Sequence, residues 1–281
     1  MIQTGQTFTA GQEPNGAAFD GASVWIANAQ SNSVTKLRAS DGANLGEFPA
    51  GNSPVNPAFD GANIWVANFN SATVTKLRAS DGANLGSFGV GVGPSNVAFD
   101  GSNIWTANSD GTVNKLRPSD GTILATITVG QTAADLAFDG TNVWVTTGAS
   151  SKTVVKLRAS DGSIFRTFAI PTNPSAVVFD GADIWVTDGA SGNVIELRAS
   201  DGANLGTFAV GFDAGGLVFD GVNVWVTGSS QNVVKLRASD GANVGTFSVA
   251  PCYPGGGRKL FDGANIWVTT ASNSNNYVCK F

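Results

Sequence analysis

The chain contains no histidine and is poor in several other residue types that carry chemistry. Its 281 residues include two cysteines, two tyrosines and one methionine, and only 13% of the residues are charged. Without histidine, general acid–base catalysis would depend on Asp, Glu, Lys or Tyr, and no pair of acidic residues stands out by its spacing. The two cysteines show neither a metal-binding spacing nor the histidine neighbour that usually activates a thiol. The sequence therefore offers no recognisable catalytic set, and we expect no metal or other cofactor.

Long apolar runs and basic clusters are also missing. No stretch approaches the length of a membrane-spanning helix, and the first five residues have neither the basic region nor the apolar core of an export signal. The formal net charge is -5, and no basic patch interleaved with aromatic residues is present, which argues against nucleic-acid binding. We expect a soluble chain without membrane insertion. Its low Lys and Glu content, with abundant Gly, Ser, Thr and Asn, favours a mature exported bacterial protein that is secreted, periplasmic or at the cell surface.

One repeated unit of about forty residues accounts for the whole chain. The tripeptide Phe-Asp-Gly occurs seven times, and each copy is followed a few residues later by a tryptophan. These seven are all the tryptophans of the chain: Trp25, Trp65, Trp105, Trp144, Trp185, Trp225 and Trp267. Repetition at this period is typical of solenoids and propellers.

The contents of one unit decide between these two architectures. Residues 55–91 contain four short runs rich in β-branched and aromatic residues, separated by Gly-containing turns, and they show no helical periodicity. In the second run, residues 64–67, side chains of both parities are apolar, so both faces of the sheet must be covered. Four-stranded antiparallel sheets stacked around an axis meet this requirement, and seven of them close a ring. The sequence therefore predicts an all-β, seven-bladed β-propeller.

The two ends of the chain indicate how the ring closes. The last unit stops at residues 277–281, which match the third strand of the other units. Residues 8–11 stand in the same relation to Phe19 as residues 48–51 do to Phe59. We therefore expect residues 2–9 to supply the fourth strand of blade seven, so that residues 1–281 form a single, monomeric propeller without an open sheet edge at the closure.

The repeat resembles a known group of propellers. Residues 94–101 (Pro-Ser-Asn-Val-Ala-Phe-Asp-Gly), 104–108 (Ile-Trp-Thr-Ala-Asn) and 112–116 (Thr-Val-Asn-Lys-Leu) are similar to the seven-bladed propellers of the YVTN and NHL type, which include the streptogramin lyases. The resemblance extends over the whole chain and implies the fold. The lyases depend on histidine together with magnesium, so none of their catalytic residues can be assigned to this histidine-free chain.

Most of the conserved polar and aromatic positions of the repeat have a structural explanation. The Asp residues of Phe-Asp-Gly and Ser-Asp-Gly are expected to bond the backbone of tight turns and to pair with strand arginines. The third strand repeats a Lys and an Arg, as in Lys36 and Arg38, and Glu196 replaces the lysine in one unit. The tryptophans could stack on a sugar, but packing between blades explains their fixed position better.

Functional differences should lie where the repeats diverge. The Phe-Asp-Gly and Ser-Asp-Gly turns share one end of the propeller, here called the turn face. The opposite end, the variable face, carries the loops between second and third strands and the connections between blades, where binding groups commonly lie. Blades five to seven diverge most, and the loop into blade seven is three residues longer than in blade two. The predicted binding patch contains Asp188, Phe212, Asp213, Tyr253, Arg258, Lys259 and Tyr277. The alternative is that blade seven differs because the ring closure needs extra packing.

Two further candidates concern the central channel and the cysteines. The residues three before each repeated Phe should surround one mouth of the channel: Gly16, Asn56, Asn96, Asp135, Ala176, Gly216 and Arg258. The oxygens of Asn56, Asn96 and Asp135 could hold a hard cation such as calcium, although solvent is the expected occupant. Cys252 and Cys279 should lie near each other at blade seven, as a disulfide in an oxidising compartment or as two free thiols.

Three classes of function remain open at this point. The missing catalytic set and the divergent loops favour a non-enzymatic binding propeller, whose ligand or protein or glycan partner the sequence does not identify. The second is a metal-dependent lyase, lactonase or hydrolase of the kind found on propellers. The third is a structural module produced by recent amplification of the repeat, which the near-identity of Leu-Arg-Ala-Ser-Asp-Gly-Ala-Asn across units supports.

Overall fold

The seven repeats fold into seven antiparallel four-stranded sheets. The structure, a computed structural model, describes residues 5–171, 173–249, 252, 259–270 and 276–281. Each sheet runs from an inner strand at the channel to an outer strand at the rim, and the inner strands of neighbouring blades contact one another around the ring. The predicted all-β, seven-bladed propeller is confirmed.

The first four blades follow the chain in simple order after an initial strand, β1 (Gln6–Thr9), that belongs to blade seven. Blade one contains β2 (Pro14–Phe19), β3 (Ser23–Asn28), β4 (Ser33–Arg38) and β5 (Asn44–Pro49). Blade two contains β6 (Pro54–Phe59), β7 (Asn63–Asn68), β8 (Thr73–Arg78) and β9 (Asn84–Gly89). Blade three contains β10 (Pro94–Phe99), β11 (Ile104–Asn108), β12 (Thr112–Leu116) and β13 (Ile123–Thr128). Blade four contains β14 (Asp135–Phe138), β15 (Asn142–Thr146), the one-turn helix α1 (Gly148–Ser151), β16 (Thr153–Arg158) and β17 (Ile164–Ala169).

The remaining three blades complete the ring. Blade five contains β18 (Pro174–Phe179), β19 (Asp183–Asp188), β20 (Asn193–Arg198) and β21 (Asn204–Ala209). Blade six contains β22 (Ala214–Phe219), β23 (Asn223–Gly228), β24 (Asn232–Arg237) and β25 (Asn243–Ser248). Blade seven contains β26 (Lys259–Phe261), β27 (Ile266–Thr269) and β28 (Tyr277–Lys280), with β1 as its outer strand.

Strand β1 closes the ring as the sequence predicts, and residues 2–4 of the predicted strand lie outside the described residues. It pairs antiparallel with β28, so that Phe8 lies opposite Val278 and Thr9 lies opposite Tyr277. The ring of Phe8 lies 5.4 Å from that of Trp267, and Phe8 packs on the core between blades seven and one. The outer edge of β28 is thereby paired and covered.

The repeated Asp of Phe-Asp-Gly fixes both a turn and a tryptophan. Asp20 Oδ1 accepts hydrogen bonds from the backbone N–H groups of Ala22 and Ser23 at 2.9 and 2.6 Å, and Asp20 Oδ2 accepts one from Trp25 Nε1 at 2.8 Å. The same Asp–Trp bond recurs in the other six blades at 2.7 Å. The turn aspartates and tryptophans therefore have the structural roles predicted for them.

The apolar core lies between the blades. Within the described residues, clusters of buried apolar side chains fill six of the seven junctions between neighbouring blades. The junction between blades six and seven is not among them. Six tryptophans are fully buried, whereas Trp225, which faces that junction, is only half-buried. Within the described residues, the junction between blades six and seven is therefore the least completely packed.

Candidate functional site

A lysine of the third strand links most blades to the next on the turn face. Lys36 Nζ donates a hydrogen bond to the backbone carbonyl of Ala79 at 2.7 Å, across the junction from blade one to blade two. Four other lysines make the corresponding bond at 2.6 to 2.8 Å: Lys76, Lys115, Lys156 and Lys280. The accepting carbonyl always belongs to the turn between the third and fourth strands of the next blade. This turn therefore covers the junction between the two blades as well as linking two strands of its own blade.

The outer-strand phenylalanine uses the same turn. The ring of Phe48 lies against Gly82, three residues after Ala79, so closely that a methyl group on this glycine would overlap the ring. Equivalent contacts join Phe8 to Gly42, Phe88 to Gly121, Phe168 to Gly202 and Phe208 to Gly241. Gly82 has φ +76°, a conformation that glycine adopts without strain. A carbonyl and a glycine three residues later thus form the surface against which each preceding blade packs.

The junction between blades five and six lacks the lysine. Glu196 occupies its position, is 8% exposed, and pairs across the sheet with Trp185. Burial raises the pKa of Glu196 to about 7, and the nearby carboxylates of Asp183 and then Asp180 add to the effect. A side chain that carries part of a negative charge near neutral pH therefore replaces a cationic hydrogen-bond donor.

The junction between blades six and seven lacks the turn instead. Blade seven takes its fourth strand from the other end of the chain, so none of the described residues connects its third strand to its fourth. Lys235 Nζ lies 3.7 Å from Asp220 Oδ2 and 4.6 Å from the ring centre of Trp225. Its side chain is 23% exposed, compared with 6% for Lys156.

An open cleft occupies this place on the turn face, and we call it the seam cleft. Its volume is ≈ 360 Å³, and its walls include Asp220, Trp225, Lys235, Phe261, Ile266 and Phe281. Partial burial acts to raise the pKa of Asp220, but hydrogen bonds from the Trp225 side chain, from the backbone of Asn223 and Val222 and from the Asn223 side chain outweigh it and lower this pKa. The cleft thus combines aromatic surface with one fixed anion and one half-exposed cation.

The predicted patch on the variable face is only partly brought together. Asp213 is exposed, and Phe212 and Tyr277 are half-buried. Lys259 and Asp188 are buried, 8% and 1% exposed, and Asp188 Oδ1 accepts a hydrogen bond from the backbone N–H of Asn173 at 2.8 Å. Tyr253 and Arg258 lie outside the described residues. The binding role of the whole set stays a prediction.

The candidates at the channel mouth link neighbouring blades. Asn56 Nδ2 donates to the Ser95 carbonyl at 2.6 Å, and Asn96 Nδ2 donates to Asp135 Oδ1. Asp135 is fully buried and accepts a further bond from Val177 N at 2.9 Å. Asn56 Oδ1 is buried and has no hydrogen-bond partner in the described part of the chain. These residues therefore join blades two to five through their side chains.

No metal cluster is evident in the described ranges, where no group of three or more Asp, Glu or Cys residues is arranged to hold an ion. Nor does that part of the chain contain a helix long and apolar enough to span a membrane. The expectation of solvent or calcium at the channel mouth stays a prediction.

The two cysteines lie together on the variable-face side of blade seven. The structure joins Cys252 and Cys279 in a disulfide with a Cα–Cα distance of 6.3 Å, and both residues are fully buried. In blade one the corresponding place is held by a hydrogen bond from Gly11 N to Thr35 Oγ1 at 3.2 Å. A disulfide can therefore take the place of a hydrogen bond at the blade that closes the ring. The oxidation of Cys252 and Cys279 in solution stays a prediction.

Sequence reasoning missed the seam cleft and the exposure of Phe69 and Val92. These two residues are 41% and 66% exposed, in the second-to-third-strand loop of blade two and in the connection to blade three. Their signal was present in the sequence as an aromatic residue in a polar loop, Phe69, and as a valine between two loop glycines, Val92. The signal for the cleft was the separation of the third and fourth strands of blade seven to opposite ends of the chain.

The comparisons with known proteins identify the architecture only. No family model matches the chain, and no curated protein matches its sequence. Among solved structures it is similar to the WD40 beta propeller domain of Doa1, with a TM-score of 0.81 and 11% identity over 100% of this chain and 96% of that one. At this identity the likeness shows the propeller fold alone, and one fold serves many functions. Membership of the YVTN or NHL group stays a prediction.

Proposed function

We propose that this protein is a non-enzymatic binding propeller whose ligand or partner contacts the variable face. The observation that carries the proposal is the connection between blades five and six. There the exposed carboxylate of Asp213 makes no hydrogen bond or ion pair within the described residues, and it follows the half-buried ring of Phe212. An aromatic surface beside an uncommitted charge is typical of recognition sites.

The scaffold holds this connection in one conformation. Phe212 packs against the core between blades five and six, and Gly228, where other blades carry a larger side chain, leaves room first for the Asp213 carbonyl and then for the Phe212 ring. Asp213 N donates to Ser229 Oγ at 3.2 Å, and Ser229 N donates to the Asp213 carbonyl at 3.1 Å. Because the backbone is already fixed, binding would cost little conformational entropy.

The charges of the turn face are, in contrast, largely used by the fold. Five turns carry an Arg–Asp pair within the turn itself, as in Arg78 with Asp81 at 2.9 Å. The seven Phe-Asp-Gly carboxylates hold their turns and tryptophans. The carboxylate of Asp213 on the variable face is therefore more available to a ligand than these charged groups of the turn face.

The same proposal extends to family and location. The repeat pattern supports a propeller of the YVTN and NHL type, and the composition supports a bacterial protein that acts outside the cytoplasm. The proximity of Cys252 and Cys279 would suit an oxidising compartment. No described arrangement of residues favours the enzymatic or the purely structural alternative over binding.

The test begins with a screen of glycans, peptides and cell-surface extracts against the immobilised protein. For any hit, Phe212→Ala and Asp213→Asn should each weaken binding about fivefold or more, a loss of about 1 kcal/mol. Phe69→Ala is the matched control, because Phe69 is an exposed aromatic residue of the same face on the opposite side of the ring. Melting temperatures would show that each variant is folded. Binding that is sensitive to Phe69→Ala alone, or to none of the three substitutions, would contradict the placement of the site at the connection between blades five and six.

A further inference from the structure

At five junctions between blades, the structure shows which part of the next blade covers the third-strand lysine. At each of these junctions the third-to-fourth-strand turn of the next blade presents a carbonyl to the lysine, and the residue three positions later is glycine. The four residues read Ala-Ser-Asp-Gly, or Pro-Ser-Asp-Gly in blade three. The same chain thus displays the chemistry that this surface binds.

Blade six presents the same surface without such a turn. Lys235 and Phe247 occupy the positions of Lys36 and Phe48, and the ring of Phe247 lies tilted 5.7 Å from that of Trp225, as the ring of Phe48 lies 5.4 Å from that of Trp25. Phe247 is 37% exposed, whereas Phe48 is half-buried beneath Gly82. Trp225 is likewise the half-buried exception among the tryptophans. The donor, the aromatic ring and the space are therefore all present, while the described chain supplies no acceptor turn.

We propose that the seam cleft binds a peptide turn of another protein, with a main-chain carbonyl on Lys235 in the cleft wall and a glycine on the neighbouring ring of Phe247, which lies 5.7 Å from the ring of the cleft residue Trp225. The glycine follows the carbonyl residue by three positions, as in Ala-Ser-Asp-Gly. A side chain in place of this glycine is excluded because the equivalent internal contacts leave no room for a Cβ atom, and because the backbone there has a positive φ. The internal turns also pair an Arg with the Asp, so a preceding arginine favours the bound conformation. This proposal does not depend on the variable face.

The first experiment uses a synthetic peptide with the sequence of residues 37–44, Leu-Arg-Ala-Ser-Asp-Gly-Ala-Asn. A short flexible peptide loses conformational entropy on binding, so we expect millimolar affinity, measured by titration of tryptophan fluorescence. The fluorescence change should come from Trp225, since the other six tryptophans are buried, and Trp225→Phe should abolish it. A peptide with Val in place of Gly is the matched control and should not bind.

Variants of the protein test the position of the peptide. Lys235→Met should weaken peptide binding at least about tenfold, the effect of losing a hydrogen bond from a charged donor. Lys156→Met is the matched control, because Lys156 is already bonded to the Ala199 carbonyl and its variant should bind the peptide unchanged. Phe247→Ala should also weaken binding, whereas Phe208→Ala, whose ring is covered by Gly241, should not.

Any of four results with the full chain would overturn the proposal. These are no binding at millimolar peptide, equal binding of the valine peptide, insensitivity to Lys235→Met, and dimerisation that Lys235→Met abolishes, which would assign the cleft to a second copy of this chain. A variant that begins at Gly5 addresses the remaining occupant. If the peptide binds that variant but not the full chain, the first four residues fill the cleft and the partner is excluded.

Discussion

The junction between blades one and two and the junction between blades six and seven are built from the same strand types, yet only the first is sealed. In the first, a single connecting turn provides a carbonyl for Lys36 and a glycine for Phe48. In the second, the ring closes by strand pairing through β1, and no described turn covers Lys235 or Phe247. Pairing a strand across the chain ends therefore restores the sheet without restoring the packing that a continuous chain supplies.

Removal of the closing strand β1 should have the largest effect on stability. Deletion of residues up to Thr9 takes away the four backbone pairs of β1 with β28 and the contact of Phe8 with Trp267. We expect a loss of about 5 kcal/mol or more, the sum of a buried aromatic side chain and unpaired backbone groups, together with aggregation or strand exchange. Chemical denaturation and sedimentation would measure both effects.

A variant that begins at Gly5 is the control for this deletion, because it keeps the whole of β1. It should denature within about 1 kcal/mol of the full chain, since only a terminal segment is lost. If the longer deletion also gave a monomer of nearly unchanged stability, β1 would not be the element that closes the ring.

Reduction of the Cys252–Cys279 bond should have the next largest effect. The cysteines are 27 residues apart, and closing a loop of this length is worth about 3.5 kcal/mol in the chain-entropy model. We expect denatured, unreduced protein to show no free thiol in a titration, and reduced protein to unfold at lower denaturant. Two free thiols before reduction would show that blade seven is held without the bond, as blade one is.

The sealed and unsealed junctions can be compared directly with Phe48→Ala and Phe247→Ala. Removing the covered ring of Phe48 should destabilise the protein by about 3 kcal/mol, because it leaves a cavity beneath Gly82. Phe247 is 37% exposed, so Phe247→Ala should cost about half as much. Equal losses in chemical denaturation would show that the junction between blades six and seven is packed as tightly as the others.

The architecture was predictable because most contacts within a repeat are made by residues that are close together in the sequence. Phe-Asp-Gly specifies a turn, a buried ring and a bonded tryptophan within a few residues, and Phe8 stands at the repeat spacing from Phe19. The seam cleft has no such local signature, because it depends on the lack, within the described residues, of a turn between the third and fourth strands of blade seven. The burial of Lys259, one member of the predicted patch on the variable face, was not predictable either: Lys259 lies against Gly216, where the absence of a side chain leaves room for it. Such pairings across blades have no local signature.

The smallest expected effect on stability concerns the junction between blades five and six, where Glu196 replaces the lysine. Burial raises the pKa of Glu196 from an ordinary 4.5 to about 7, and repulsion from Asp183 and Asp180 adds to it. A raised pKa means that the folded state resists ionisation more than the unfolded state does. The junction therefore contributes most stability below pH 4.5, loses it progressively as the pH rises, and is weakest above about pH 7.

Glu196→Gln tests this by keeping the neutral form at every pH. It should raise the melting temperature by a few degrees near pH 8, and the gain should disappear at about pH 4. Glu196→Lys should give a further gain at the higher pH, because the restored lysine can donate to the Ala238 carbonyl, which holds the place of Ala79 in the repeat. If Glu196→Gln instead gave the same shift in melting temperature at both pH values, the glutamate would not titrate in this window. If Glu196→Lys were destabilising, the turn of blade six would not present the Ala238 carbonyl as the other turns present theirs. The junction between blades five and six would then differ from the others in its turn as well as in its glutamate.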